Sequence, residues 1–501
     1  MMKFTKVFII SLVISVIFIA WGVIFPKGLQ QATGSIQNFL QVKFGWFYLL
    51  SATAFLIFSI YLIFSKYGKI KLGKDDDEPD YNLITWFAML FSAGMGIGLV
   101  FWGVAEPLYH YYDPPTGNGE TVESANASLR YAMFHWGLHP WGIYTVVGLA
   151  LAYFKFRKGA PGLISAIFRP LLGDRVNGPI GILIDVIAVF ATVFGVATSL
   201  GFGAAQISGG LSYVFEGIPN NQLTQLIIIA IVTVLFILSA STGLNKGIKY
   251  LSNINIVLAI GLMFFLLFAG PTNFIMDVFT QTIGSYAQNL PGMSFRLGPY
   301  SETTQDWTQA WTVFYWAWWI AWAPFVGMFI ARVSKGRTIR EFVLGVLLVP
   351  TIFGALWFSV FGGSAVFKDR MEGTGLYSIM TDNGTEIALF ALFEQLPLGG
   401  IMSIIAILLI STFFITSADS ATFVLGMQTT NGSLNPSNYI KFIWGAVVAA
   451  SAAILLYSGG LQALQTASII AAFPFTFIII AIIFATVKAL KEDYRTNFKN
   501  K

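Results

Sequence analysis

Apolar runs of about twenty residues recur roughly twelve times along this chain of 501 residues. A helix of that length rises about 30 Å and spans the hydrocarbon core of a bilayer. Only 11% of the residues are charged, whereas soluble domains carry about 25%. The sequence therefore predicts an all-α membrane protein with twelve transmembrane helices. The runs cover approximately residues 7–25, 46–64, 83–105, 131–154, 179–203, 225–242, 251–270, 308–331, 341–362, 399–428, 440–458 and 463–487.

The placement of basic residues predicts the orientation of the spans. If the amino terminus is inside, 23 of the 29 Lys and Arg residues fall in inner loops and tails. This asymmetry follows the positive-inside rule and indicates a cell-membrane protein with both termini in the cytoplasm. The run at 7–25 lacks a small-residue cleavage site, so we interpret it as a first span. The net charge of +5 follows from this topology and does not indicate a nucleic-acid partner.

The spans divide into two extra helices and two blocks of five. Because each block crosses the membrane an odd number of times, the second is inverted relative to the first, which is typical of secondary transporters. The segment at 271–307, which connects the two blocks, is interpreted as a surface helix or a simple loop. The basic tail at 488–501 is interpreted as an anchor or a contact with anionic lipid. The predicted parts are 1–82 with two spans and a charged linker, 83–270 as the first repeat, 271–307 as the outer segment, 308–487 as the second repeat, and 488–501 as a short tail.

A dense aromatic run occupies residues 315–325 within the eighth span. At 100° per residue, four of its rings fall within about 100° of one another on one helix face. These rings are Tyr315, Trp318, Trp319 and Trp322. Stacked aromatic faces attract a quaternary ammonium, whereas an interfacial tryptophan belt is the alternative. Pro324 then predicts a kink or break where this face ends.

Two further spans supply complementary groups. Trp136, Trp141 and Tyr144 flank Pro140 in the fourth span and predict a second aromatic wall. The third span carries glycine at three alternate positions, which weakens a helix. Amides in an unwound stretch suit a carboxylate and carbonyls suit Na⁺, while helix packing is the alternative. The glycines are Gly94, Gly96 and Gly98.

Hydroxyl and carboxyl groups also occur within predicted spans. Adjacent Thr416 and Ser417 in the tenth span offer two uncharged oxygens to a small cation, or hydroxyls that bond back to their own helix. Asp185 and Asp419 lie within spans, where an ionisable group is usually functional or paired. These positions are therefore candidates for ion coupling.

Enzyme chemistry is not indicated. The absence of cysteine excludes disulfides and thiol catalysis, and we find no nucleophile–base set, metal cluster or phosphate loop. His135 and His139 are spaced i, i+4 as in a metal pair. No acidic partner is expected near them, so we predict a structural pair. The sequence therefore predicts neither an enzyme nor a bound cofactor.

The chain resembles the betaine/choline/carnitine transporter (BCCT) family. Within that family it looks most like the bacterial Na⁺-coupled glycine betaine transporters. The resemblance rests on the glycine run, on Gly-Val-Ala-Glu-Pro at 103–107, on the tryptophan run and on residues 327–342. It implies twelve spans, a LeuT-like core of two inverted repeats and a homotrimer. It also implies an aromatic box for trimethylammonium formed by Trp136, Trp141, Tyr144, Trp318, Trp319 and Trp322.

The resemblance further implies contacts for the other groups. The stretch Gly94, Met95, Gly96 and Gly98 would meet the substrate carboxylate. A sodium site would use Ser92 and Met95 backbone, Phe413 backbone, and the hydroxyls of Thr416 and Ser417. Candidates for a second sodium site are Thr192, Thr198 and Ser199.

We therefore expect a Na⁺ symporter that imports glycine betaine, a zwitterionic compatible solute. Members of this family that are specialised for choline tend to carry an acidic residue in the glycine stretch, and residues 92–98 contain none. The resemblance therefore implies a zwitterion rather than the cation choline. One alternative is a proton-coupled or exchange-type choline or carnitine transporter that uses Asp185 or Asp419. Another is an osmotically gated channel or sensor, which would show linear rather than saturable flux.

Overall fold

The computed structural model describes residues 4–94, 96–241 and 245–497. Regular structure in these ranges is helical, apart from one isolated antiparallel bridge between Lys71 and Thr338. Among the described residues, eight helices are long and apolar enough to cross a membrane. The prediction of an all-α membrane protein is therefore confirmed, while the number twelve remains a prediction.

The helices are numbered in chain order. The first six are α1 Lys6–Ile24, α2 Pro26–Phe64, α3 Leu83–Gly94, α4 Ile97–Tyr112, α5 Val122–Trp136 and α6 Leu138–Ala152. The next six are α7 Arg169–Leu172, α8 Pro179–Val214, α9 Gln222–Ser241, α10 Asn245–Ala269, α11 Thr272–Ser294 and α12 Glu302–Thr308. The last six are α13 Phe314–Val333, α14 Ile339–Glu372, α15 Leu376–Asn383, α16 Ala388–Glu394, α17 Gly399–Thr429 and α18 Asn438–Asn497.

Glycines interrupt several of the predicted spans. The third predicted span is divided into α3 and α4, with extended backbone at Gly96 (φ −160°, ψ −179°). The fourth is divided into α5 and α6 at Gly137. Non-helical torsions at Gly459 and Gly460 kink α18 between the last two predicted spans. Glycine favours such interruptions because it loses more conformational entropy than other residues when it is fixed in a helix.

The structure shows no break at Pro324, so that part of the prediction is wrong, while a kink there stays a prediction. Pro324 lies inside α13, which continues as an α-helix to Val333. The irregular part of this element precedes the aromatic run, as a π-helical segment at Gln309–Val313. A proline removes only one backbone hydrogen bond, and neighbouring helices can stabilise the helix around it.

Contacts between helices place the aromatic run at the centre of the molecule. Helix α13 packs against α6, α8 and α18, while α4 packs against α5, α8 and α14. The segment 271–307 contains α11 and α12, so it is not a simple loop. Helix α11 packs on α5 and α14. The interrupted helices α3 and α4 therefore meet α5, α6 and α13 around one interior region.

The linker after α2 is tied to the loop between α13 and α14. The amide of Leu72 donates to the carbonyl of Arg337 at 2.8 Å, and Gly336 donates to the carbonyl of Leu72 at 2.9 Å. The amide of Ile339 donates to the carbonyl of Ile70, also at 2.9 Å. Backbone pairing thus joins segments that are more than 260 residues apart in the chain.

Candidate functional site

The six predicted aromatic residues line one cavity in the interior of the helix assembly. It has a volume of about 50 Å³. Two of the predicted glycines, Gly96 and Gly98, complete the same wall. The lining consists of Gly96, Gly98, Leu99, Trp136, Pro140, Trp141, Tyr144, Ser199, Trp318, Trp319, Trp322, Pro350, Phe353 and Gly354.

The indoles of this cavity are packed against one another. The rings of Trp318 and Trp319 stack with centroids 4.8 Å apart and planes 13° from parallel. Trp136 meets Trp319 edge-on at 4.8 Å. Trp318 is only 1% exposed and Trp319 only 6%, so the belt interpretation is wrong for these two residues. Their faces form a compact cluster of the kind that attracts cations.

Hydrogen bonds fix the orientation of three indoles. The Nε1 of Trp319 donates to the carbonyl of His135 at 2.8 Å. The Nε1 of Trp322 donates to the carbonyl of Gly195 at 2.6 Å. The Nε1 of Trp136 donates to Oε2 of Glu106 at 2.8 Å. The aromatic walls are therefore held in place without a ligand.

Two polar groups of the cavity residues have no such partner. Within the described part of the chain, neither the hydroxyl of Tyr144 nor the Nε1 of Trp318 makes a hydrogen bond, although both atoms are buried. A buried donor without an acceptor costs about 1–3 kcal/mol. A ligand that carries an acceptor, such as a carboxylate, would remove that cost.

Close packing explains why position 98 requires glycine. A Cβ atom at Gly98 would lie 2.6 Å from Cη2 of Trp318 and 3.1 Å from Cη2 of Trp136. Gly98 is the second residue of α4, so its amide belongs to the first turn. Free amides and the helix dipole make this end attractive to an anion. The backbone can thus approach the two rings closely while presenting its amides.

Substitution Gly98→Ala is expected to raise the KM for the transported solute about tenfold, because overpacking costs about 1–3 kcal/mol. Saturable uptake by the variant in proteoliposomes measures this effect. Gly261→Ala is the matched control, because an added Cβ there meets no atom within 4 Å. An unchanged KM in Gly98→Ala would show that the contact between backbone and rings is not needed.

A second cavity of about 120 Å³ contains most of the predicted sodium ligands. Met95 lies outside the described residues, as does any contact that it makes. Gly96 and Trp322 line both cavities, so the two sites adjoin. The second cavity is lined by Ser92, Gly96, Ser252, Asn255, Trp322, Phe325, Val326, Phe329, Phe413, Thr416, Ser417 and Ser420.

Asn255 is a residue of this cavity that the sequence did not reveal. Its Nδ2 donates to Oγ1 of Thr416 at 3.1 Å, and its side chain is 2% exposed. Its Oδ1 has no hydrogen-bond partner among the described residues. The hydroxyl of Thr416 also donates to the carbonyl of Thr412 at 3.0 Å. The hydroxyl of Thr416 therefore bonds back to its own helix and also lines the second cavity.

The donor set of the second cavity fits a small hard cation. Hydroxyl and amide oxygens are hard, uncharged ligands, and Asn255 offers an oxygen that has no partner in the described part of the chain. An asparagine inside an apolar run is the signal that could have pointed to this position. The candidates for a second site do not converge: Thr192 interacts with Gln428 and Thr198 with Ser468, while Ser199 lines the aromatic cavity.

The expectation that the histidines lack an acidic partner is wrong. The Nδ1 of His135 lies 2.7 Å from Oε1 of Glu106. His139 instead stacks on Trp316 at 5.0 Å and lies 3.2 Å from the hydroxyl of Ser294. The two histidines therefore have different partners and do not face a common metal.

Comparison with known proteins gives the class of molecule. The sequence matches the family described as BCCT, betaine/carnitine/choline family transporter, over residues 6–495. The chain belongs to the BCCT family. Family membership and the long apolar helices make it a multi-pass membrane transporter. Membership of a transporter family also fits the expectation that the chain is not an enzyme.

Individual BCCT relatives cover nearly the whole chain. The glycine betaine transporter OpuD of Bacillus subtilis (strain 168) is 56% identical over 98% of this chain and 95% of the relative. A probable glycine betaine transporter of Desulfitobacterium hafniense (strain Y51) is 47% identical over 98% of each chain. An ectoine/hydroxyectoine transporter of Virgibacillus pantothenticus is 45% identical over 97% of this chain and 96% of the relative.

Proposed function

We propose that this BCCT transporter imports glycine betaine together with Na⁺. The observation that carries the proposal is the cavity in which two aromatic walls meet the amino-terminal turn of α4. The trimethylammonium group lies against the indole faces, and each ring contributes about 0.5–2 kcal/mol. The carboxylate accepts from the amides near Gly98 and from the free donors of Tyr144 and Trp318. The relatives named as glycine betaine transporters support this substrate.

Coupling to Na⁺ follows from the contact between the two cavities. Thr416, Ser417 and Asn255 supply oxygens to the cavity proposed for the ion, and Gly96 lines both this cavity and the one proposed for the substrate. Sodium would order this segment against α17 and so complete the substrate cavity. Each ligand then favours binding of the other, because both stabilise the same arrangement of the segment.

Transport itself is proposed to proceed by alternating access. In this proposal twelve spans form two extra helices and a LeuT-like core of two inverted repeats, both termini are cytoplasmic, and three copies associate in the cell membrane. The interrupted third span matches the discontinuous helices that line such central sites. Rocking of the core would then open the site to either side in turn.

The environment of Asp185 counts against its use as a proton carrier. Its Oδ1 accepts from the amide of Ser165 at 2.9 Å, and its Oδ2 accepts from the hydroxyl at 2.6 Å. Both carboxylate oxygens therefore fix the short turn at Ser165–Phe168 to α8. This role is structural and counts against Asp185, so the proton-coupled choline or carnitine alternative then rests on Asp419. We favour Na⁺ coupling because the second cavity offers a set of uncharged oxygens.

Uptake of radiolabelled glycine betaine into proteoliposomes tests the proposal. With an inward Na⁺ gradient we expect saturable uptake that excess betaine blocks and excess choline does not. Without Na⁺ we expect no accumulation. Full uptake without Na⁺ would contradict the coupling and favour protons or exchange. Linear flux would indicate a channel, and uptake of choline or carnitine alone would contradict the substrate.

A further inference from the structure

A buried carboxylate lies directly behind the aromatic cavity. Glu106 belongs to α4, and its side chain is completely inaccessible to solvent. A carboxylate inside a membrane protein is costly unless it is fully hydrogen-bonded. Its environment therefore shows what it does for the neighbouring residues.

Four groups that can donate a hydrogen bond lie against the two oxygens of Glu106. Oε1 lies 3.1 Å from Nε2 of His110 and 2.7 Å from Nδ1 of His135. Oε2 accepts from Nε1 of Trp136 at 2.8 Å and from the hydroxyl of Tyr315 at 2.6 Å. An ionised carboxylate is an acceptor only, and four donors match its capacity. The network is thus that of an anion held by four hydrogen bonds.

The tautomer of His135 agrees with this assignment. Its Nε2 lies 3.0 Å from the hydroxyl of Thr312, which can donate to it. Its Nδ1 then carries the proton and donates to Glu106, which is the arrangement of a neutral imidazole. Glu106, His110 and His135 also have ligand atoms within 4.8 Å of one another, as in a metal site. The indole of Trp136 and the phenol of Tyr315 already donate to Oε2, the other carboxylate oxygen of Glu106.

Two of the four donors connect Glu106 to the cavity. Trp136 lines the cavity, and Tyr315 stacks on Trp319 with centroids 5.9 Å apart. Because Trp136 is on α5 and Tyr315 is on α13, the carboxylate joins α4 to both aromatic walls. An N–H group that donates to an anion is polarised, and electron density moves into its ring. The face of such an indole attracts a cation more strongly.

We propose that Glu106 is a positioning residue that sets both the orientation and the cation affinity of the cavity through Trp136. The inference deepens the proposed function, on which it rests for the class of substrate. The negative charge behind the ring selects a quaternary ammonium over an uncharged group of the same shape. Glu106 itself does not contact the substrate.

The test compares glycine betaine with 3,3-dimethylbutanoate, in which carbon replaces the quaternary nitrogen. Isothermal titration calorimetry of the full chain in detergent gives both dissociation constants. For Glu106→Gln we expect weaker binding of betaine and little change for the isostere. The ratio of the dissociation constant of the isostere to that of betaine should therefore fall about fivefold. Equal loss for both ligands would overturn the charge effect, and no change in either would overturn the proposal.

A double-mutant cycle protects the test against a general folding defect. Trp136→Phe keeps an aromatic ring but removes the N–H group that Glu106 polarises. We expect Glu106→Gln to change the ratio far less in this background than in the wild type. Additive effects would overturn the proposed route through Trp136. Loss of betaine binding on addition of EDTA would also overturn it, because the cluster would then be a metal site.

Glu386→Gln is the matched control. Its carboxylate is also buried and accepts from Nδ2 of Asn220 at 2.7 Å, but it does not line the aromatic cavity. We expect its ratio to equal that of the wild type. If the wild type does not bind betaine, the proposed substrate fails. The same ratio is then measured with choline and 3,3-dimethylbutanol, and a Glu106→Gln ratio equal to the wild type would overturn the inference.

Discussion

Substitution Trp318→Leu is expected to raise the KM for glycine betaine about thirtyfold, because the loss of one well-placed ring costs about 2 kcal/mol. Trp318 stacks on Trp319, lies against the position of Gly98 and has an Nε1 without a hydrogen-bond partner among the residues that the structure describes. Leucine restores none of these features. Initial rates of radiolabelled uptake in proteoliposomes measure the change.

Trp316→Leu is the matched control for this experiment. Trp316 lies on the same helix and is fully buried, but it stacks on His139 and does not line the cavity. The same volume is removed, so both variants should lose comparable thermal stability. Only Trp318→Leu should lose affinity for the substrate. Equal KM values in the two variants would contradict the role of Trp318 in a cation cage.

The double substitution Thr416→Ala with Ser417→Ala is expected to weaken the Na⁺ dependence of betaine accumulation strongly. The two hydroxyls are adjacent oxygens of the second cavity, and alanine replaces both with methyl groups. Each coordinating group is expected to contribute about 1.5–3 kcal/mol, as in other interactions with a charged group. The Na⁺ concentration for half-maximal uptake should therefore rise more than tenfold, which a Na⁺ titration of the uptake rate measures.

Thr412→Ala provides the control on the same helix. Its hydroxyl donates to the carbonyl of Leu408 at 2.8 Å and does not line the second cavity. We expect its Na⁺ titration to match that of the wild type. An unchanged Na⁺ dependence in the double variant would place the coupling ion elsewhere.

Local patterns predicted much of the candidate site. Helical periodicity places Trp318, Trp319 and Trp322 on one face, and the structure gathers their side chains around one cavity. Three alternate glycines disfavour helix, and the backbone is extended at Gly96. Both features depend on neighbouring residues in the chain, which is why sequence patterns contain them.

Features that depend on tertiary contacts were not predicted. Pro324 was expected to kink or break its helix, but α13 continues through it and packs against α6, α8 and α18. The partners of Glu106 lie up to 209 residues away in the chain, and the pairing of Asn255 with Thr416 spans 161 residues. No local pattern specifies which distant donor meets a given acceptor.

The backbone pairing of residues 70–72 with residues 336–339 determines which parts can move independently. A hydrogen-bonded ladder resists shear along its length, so α2 and the junction of α13 with α14 behave as one lever. Any rigid-body rotation must take place about an axis outside this lever. Helix α3 is held to the same lever, because the Nε1 of Trp86 donates to the hydroxyl of Ser334 at 3.0 Å. A movement of the proposed transporter is therefore expected to carry α2, α3 and this junction together.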